Sequence, residues 1–413
     1  MEKTGKKKFK MTLSLWIFVA MVAGIIAGIC LTSQAAFVST YIKPFGTIFV
    51  NLLKFIVVPV VLLSIICGMI QMKDIKKVGS IGWKTIVYYL ATTAIAIVIG
   101  LIFANVFKGV FPKLATTDLV YEAKTANFMD TIVAIFPSNL WNSLVSANML
   151  QVIVIALLLG SGVLLAGEKG LTAKNVFESL NEVINKVLMF IIKLTPIGVF
   201  CLMTDTVASN GPKILTSLAI VLGVAYLAYI VHLLLTYSLS VKFLGGLNPW
   251  KFLKGMIPAM IFAFTSTSSV ATLPLTKECT DNLGADPEYS SFILPLGATI
   301  NMDGTAIYMG VASVFIACCY GIELTIGQML MIIITATLAS IGTAGVSGAG
   351  VIMLAMVLQS VNLPVEGIAL IIGIDKLFDM GRTTLNIVGD ATCAIFVTRA
   401  EEKKAARLAK KNA

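Results

Sequence analysis

Long apolar runs alternate with short polar, lysine-bearing connectors along the whole chain. Runs at 11–30, 45–70, 83–107, 149–166, 187–207, 214–239 and 292–320 each approach or exceed the roughly 20 residues a helix needs to cross a hydrocarbon core of about 30 Å. The run at 367–398 is as long but carries charges. The pattern predicts an all-α polytopic membrane protein with eight spans. Two further apolar regions are interrupted near their middles. Residues 256–264 lead through Thr265, Ser266, Thr267, Ser268 and Ser269 into 270–275, and 329–339 lead through the Gly-, Ser- and Thr-rich stretch 340–348 into 351–358. Neither half can span alone, so each region reads as a re-entrant helical hairpin. Unwound backbone at such a tip is tolerated at depth only where it is buried in protein or lines a watery cavity. Each hairpin is followed by a span rich in polar groups. Paired broken segments of this kind point to the binding site of a secondary transporter.

Composition excludes a soluble enzyme: 58% of residues are hydrophobic and 13% charged, against about 25% charged in soluble domains. The net charge of +10 is read as topology rather than as nucleic-acid binding. With the N-terminus inside, Lys73, Lys76, Lys77, Lys169, Lys174, Lys242, Lys251, Lys254 and the basic C-terminal tail fall on the cytoplasmic side. The outer loops keep only Lys43, Lys108, Lys113, Lys124 and Lys213. That asymmetry predicts a multi-pass protein of the cell membrane with both termini cytoplasmic. The basic residues 1–10 precede a run longer than a signal-peptide core, which predicts an uncleaved first span. Seven cysteines without a CxxC and a single histidine, His232, give no zinc or disulfide framework, and all are read as packing. No GxxxxGK[ST] motif is present, so ATP is not the expected energy source.

The chemistry concentrates in the last two spans. At about 100° per residue, Asp375, Asp379, Arg382, Asn386 and Asp390 fall within a wedge of about 80° on one helix. Asn301, Asp303 and Thr305 interrupt the apolar run before it. Ionisable groups within a span are costly unless paired, and they mark substrate or ion paths. Counting Arg382 against four carboxylates leaves about three uncompensated negative charges, which calls for protons or bound cations. Carboxylate, amide and carbonyl oxygens suit hard metal cations, and the planar fork of Arg382 suits a ligand carboxylate. A cation-coupled transporter of an anionic solute follows.

At these residues the chain resembles the dicarboxylate/amino acid:cation symporter family, the glutamate transporters. The resemblance is carried by Ser268-Ser269 with Thr272-Leu273-Pro274, by Asn301 to Thr305, by Gly342-Thr343-Ala344-Gly345 and by Asp379 to Asp390. It implies inverted repeats, a homotrimer in the lipid bilayer and elevator-type alternating access. The scaffold would comprise 11–70 and 129–207. The transport domain would comprise 83–107, 214–239 and the core 250–400, with 401–413 as a cytoplasmic tail. By resemblance, Arg382 binds the substrate side-chain carboxylate and Asp379 its ammonium, with Asp375 orienting Arg382. Ser268, Ser269, Thr305, Val346, Thr383 and Asn386 complete the pocket. Co-transported sodium would use three sets: Gly297, Asn301, Asn386 and Asp390; Thr299, Ser340, Ile341 and Thr343; and Tyr89, Thr92, Thr93, Asn301 and Asp303. No organic cofactor is implied.

This sequence departs from family patterns at Thr267 and Met380, where archaeal or animal relatives place a second arginine, and at Met309, where animal relatives carry a glutamate tied to proton transport. The scheme does not absorb Lys376. The expected function is sodium-driven uptake of L-glutamate or L-aspartate. Proton-driven transport of the same solutes and C4-dicarboxylate transport are the alternatives, and Asp379 argues against the latter because an amine-free substrate gives it nothing to pair with. An intramembrane aspartyl protease is disfavoured because Arg382 would hold both carboxylates of a dyad ionised.

Overall fold

A computed structural model describes residues 13–78, 80–113, 133, 136–146, 148–211, 213–340 and 349–412. They form helices, with no strand among them. The principal ones are α1 (Leu13–Cys30), α2 (Lys43–Val78), α3 (Ser80–Phe107), α4 (Met149–Ala166), α5 (Leu171–Lys193), α6 (Thr195–Asn210) and α7 (Lys213–His232). They continue with α8 (Pro249–Ser266), α9 (Ser269–Asn282), α10 (Pro287–Ile300), α11 (Asp303–Cys319), α12 (Ile326–Ala339), α13 (Ala349–Ser360) and α14 (Asp375–Asn412).

Helix starts carry local signals. Asn248 and Asp286 each accept hydrogen bonds from two backbone N–H groups of the turn they open, with proline next in sequence. Thr325 and Gln328 form a reciprocal capping box at α12. These side chains satisfy N–H groups that have no partner inside the helix.

Three of the expected spans are drawn differently. The run at 187–207 is two helices, because α5 ends at Lys193 and Pro196 sits in the first turn of α6, where its missing N–H costs nothing. The run at 292–320 breaks at Asn301 and Met302, between α10 and α11. The charged run begins in short turns, Val365–Gly367 to Ile372–Ile374, and α14 extends well past its end. Among the described residues, five helical stretches are long and apolar enough to cross a membrane. The α1 run falls short by length and α14 by charge. In the first interrupted region α8 packs against α9, and in the second α12 packs against α13.

Two sets of helices emerge from the packing. In the first, α1 lies along α6, and α2 packs on α4, α5 and α6. Gly24 and Gly28 allow the α1–α6 approach: a methyl group at either would stand 2.8–2.9 Å from another atom, the Phe200 carbonyl for Gly24 and the Thr204 carbonyl for Gly28. In the second, α11 is enclosed by α3, α7, α13 and α14. Every described residue of α11 except Cys318 is buried, as expected for a helix apolar around its circumference. Large exposed apolar side chains, among them Trp16, Phe55, Ile102, Phe190 and Leu234, face outward on the other helices. Many large apolar side chains exposed on long apolar helices suit contact with lipid.

Candidate functional site

The wedge anticipated on α14 folds into two adjoining acidic clusters. The first is built on Arg382, whose side chain is 2% exposed. Its Nη1 donates to Asp375 Oδ1 at 2.9 Å and its Nη2 lies 3.0 Å from Asp379 Oδ1. Spacings of three and seven residues put all three side chains on one helical face. The guanidinium lies 4.5 Å from the centroid of the Tyr308 ring, a cation–π contact from α11. Gly350 forms its other wall, since a Cβ there would stand 2.7 Å from Arg382 Cζ. Arg382 is therefore clamped on three sides.

Lys376 joins this cluster. Its Nζ is 3.7 Å from Asp379 Oδ2 and donates to Thr267 Oγ1, at the tip between α8 and α9. The expectation of one cation against four carboxylates is corrected here: a four-carbon stem brings the ammonium back from outside the wedge to Asp379. Thr267 caps α8 with left-handed backbone, φ 52°, and its N–H donates to Ala263 O at 2.8 Å.

The second cluster holds carboxylates against neutral donors. Asn301, in extended backbone at the α10–α11 break, donates from Nδ2 to the Asn386 carbonyl and to Asp390 Oδ1, both at 2.9 Å. Its Oδ1 is buried with no hydrogen-bond partner among the described residues. Asn386 Oδ1 accepts from the Gly304 N–H at 2.8 Å. Glycine is required at 297, because a Cβ would stand 2.5 Å from Tyr89 Oη and 2.7 Å from Asp390 Cγ. The Tyr89 hydroxyl donates to the Ile293 carbonyl at 3.3 Å.

Asp303 opens α11 and is fully buried. Its Oδ1 accepts from Thr93 at 2.6 Å and its Oδ2 from Tyr237 at 2.8 Å. His232 Nε2 stands 3.1 Å from the same Oδ2 and donates to it in the tautomer protonated there. The sequence reading treated His232 as packing and did not single out Tyr237. Five residues apart, they would lie about 140° from each other on a regular α-helix. The π turn at Leu233–Tyr237 closes that angle and aims both at Asp303. An only histidine within an apolar span was the available signal.

Of the other expected residues, Ser269, Thr305 and Thr383 are buried, as is Thr92, whose hydroxyl donates to the Tyr89 carbonyl at 3.2 Å. The Ser268 hydroxyl caps α9 by accepting from Ala271 N. Thr299 and Ser340 bond carbonyls of their own helices, Leu296 O and Thr337 O. Ile341, Thr343 and Val346 lie outside the described residues. The second expected sodium set is thus represented only by Thr299 and Ser340.

Among the described residues, no three His, Cys, Asp or Glu side chains converge as a metal site. The second cluster instead mixes carboxylate, amide and hydroxyl oxygens beside broken helices, a donor set suited to monovalent cations.

The chain matches the sodium:dicarboxylate symporter family over residues 13–400 and belongs to it. It is 35% identical over 402 residues to a proton/sodium-glutamate symport protein of Geobacillus stearothermophilus, covering 95% of each chain. It is 34% identical over 414 residues to a proton/glutamate-aspartate symporter of Escherichia coli, covering 96% of this chain and 94% of that one. A C4-dicarboxylate transport protein of Bacillus subtilis is 30% identical over 406 residues, with 96% and 95% covered. The family consists of transporters rather than enzymes.

Proposed function

We propose that this symporter-family protein takes up L-glutamate or L-aspartate, driven by a sodium gradient. The observation that carries the proposal is the juxtaposition of a buried, clamped guanidinium with a second carboxylate cluster that contains only neutral or neutral-capable donors. Arg382 receives the solute's side-chain carboxylate, and Asp379 receives its ammonium. Asp303 and Asp390 are left needing positive charge at depth, since an uncompensated buried carboxylate costs several kcal/mol. Sodium supplies it. The buried, unpartnered Asn301 Oδ1 supports a cation between Asp303 and Asp390.

Coupling follows from shared residues. Asn386 fixes the start of α11 through Gly304 and, through its carbonyl, holds Asn301 of the cation set. A cation that orders this linkage raises affinity for the solute, and the solute raises affinity for the cation by the same factor. The denser packing of α1, α2, α4, α5 and α6 among themselves than onto the α11-centred set supports a scaffold (11–70, 129–207) against which the transport domain moves by an elevator mechanism. Eight spans, two re-entrant hairpins, inverted repeats, cytoplasmic termini and a homotrimer in the cell membrane belong to the same proposal. A second, proton-driven reading rests on His232, whose Nε2 stands 3.1 Å from Asp303 Oδ2 and gives that carboxylate a further side-chain partner in place of a metal ion.

Calorimetric titration of the purified protein with L-aspartate and L-glutamate, in sodium chloride and in choline chloride, tests the proposal. Binding that requires sodium is expected; equal binding in both salts would contradict cation coupling.

A further inference from the structure

Lys376 stands one residue beyond the polar wedge, yet its ammonium reaches both the Asp379 carboxylate and the Thr267 hydroxyl. Asp379 is thereby held by two cations, Arg382 on Oδ1 and Lys376 on Oδ2. Among the described residues, Asp375, Asp379, Lys376 and Arg382 balance two negative charges with two positive ones. The side chains of Lys376 and Asp379 are 15% and 10% exposed, so a solute entering beside Arg382 can reach them. An amino acid's ammonium and the Lys376 ammonium are the same chemical group. Two ammonium groups crowded on the 376-facing oxygen of Asp379 would repel each other, so they compete for it.

We infer that Lys376 is a built-in stand-in for the substrate's amino group, so that it sets the balance between amine-bearing and amine-free solutes. The inference rests on the acidic-solute reading above and deepens it. An acidic amino acid displaces Lys376 from Asp379 and binds against that competition. A C4-dicarboxylate has no ammonium, and it binds only because Lys376 keeps Asp379 neutralised beneath it. The objection that Asp379 would have nothing to pair with in a C4-dicarboxylate complex is met by this residue.

The second contact gives displacement a structural consequence. A non-glycine residue is disfavoured in left-handed backbone, and Thr267 holds that conformation at the α8–α9 tip. The Lys376 bond to its hydroxyl anchors the tip to α14. A substrate ammonium that takes Asp379 frees Lys376 to withdraw, which ties release of the tip to the kind of solute bound.

The test uses the full chain in detergent at fixed sodium, titrated with L-aspartate and with succinate. Lys376→Met is expected to tighten L-aspartate severalfold and to weaken succinate, moving the ratio of the two dissociation constants at least tenfold toward aspartate. Lys376→Arg, which keeps the charge, is expected to restore the wild-type ratio to within a few-fold. Should Lys376→Met fail to fold, Lys376→Gln carries the same expectation. A wild-type protein that binds either solute, with an unchanged ratio in the neutral variant, would overturn the role of Lys376. Binding of neither solute by the wild type would instead overturn the acidic-solute reading, and the inference with it.

Discussion

Two acidic clusters adjoin along α14, one wholly on that helix and the other shared with Asp303 of α11, and they are satisfied in opposite ways. Around Asp375 and Asp379 the partners are basic side chains, Arg382 and Lys376, aided by the face of the Tyr308 ring. Around Asp303 and Asp390 the partners are a threonine, a tyrosine, a histidine and an asparagine. The first cluster carries its own counter-charge, so what it can exchange is one ammonium or one carboxylate for another. The second, as proposed, would accept a cation from outside without expelling one. Under the proposed function, one helix would serve a solute site near Asp379 and, about three turns on at Asp390, an ion site shared with Asp303 of α11, distinguished by the side chains that approach from α3, α7, α8 and α11.

Breaking the first cluster should have the largest effect. Arg382→Cys leaves Asp375 and Asp379 without their shared guanidinium, and removal of one partner from a buried pair costs about 3–5 kcal/mol. Binding of L-aspartate, measured by calorimetry, is expected to fall by more than a hundredfold; retained affinity would remove Arg382 from the solute site. Next comes Asp390→Asn, which keeps the shape and removes the charge. It is expected to raise the sodium concentration for half-maximal binding by about tenfold, or about 1.4 kcal/mol. An unchanged sodium response would take Asp390 out of the cation set.

Tyr237→Phe sharpens the comparison more finely. It deletes one neutral donor to Asp303, worth about 1 kcal/mol, and should shift sodium affinity severalfold while leaving the aspartate-to-succinate ratio untouched. A changed ratio with unchanged sodium affinity would mean that the two clusters are not separable.

The smallest effect is expected far from both. Glu401 lies 2.6 Å from Lys84 near the start of α3, and that hydrogen bond holds its carboxyl below the usual carboxylate range. A depressed folded-state value gives stability that is present above the unfolded value, near 4.3, and lost as pH falls through the folded one. The contribution is below about 1 kcal/mol. Lys84→Met should therefore lower the melting temperature by a degree or two at pH 7, and the gap to wild type should close below pH 4.

Much of this site was legible because helical periodicity is strict. Asp375, Asp379, Arg382, Asn386 and Asp390 share a face whatever surrounds them, and the Asn301–Asp303 interruption marks the break between α10 and α11. The interrupted apolar run likewise marks the break between α8 and α9. What periodicity could not convey is reach and local irregularity. Lys376 was passed over because a flexible stem can cross about 100° of helix surface to its partner. His232 and Tyr237 were missed because a single π turn brings together residues that a regular helix separates. The expected span at 187–207 was drawn through Leu194, since hydropathy continues smoothly where Pro196 obliges the chain to start a new helix.

Whether sodium entering the second cluster drives solute uptake is decided by uptake of radiolabelled L-aspartate and L-glutamate into proteoliposomes, comparing an inward sodium gradient at symmetrical pH with an inward proton gradient in sodium-free buffer. Accumulation is expected under the sodium gradient and none under the proton gradient alone. Accumulation driven by protons alone would rule out sodium as the driving ion.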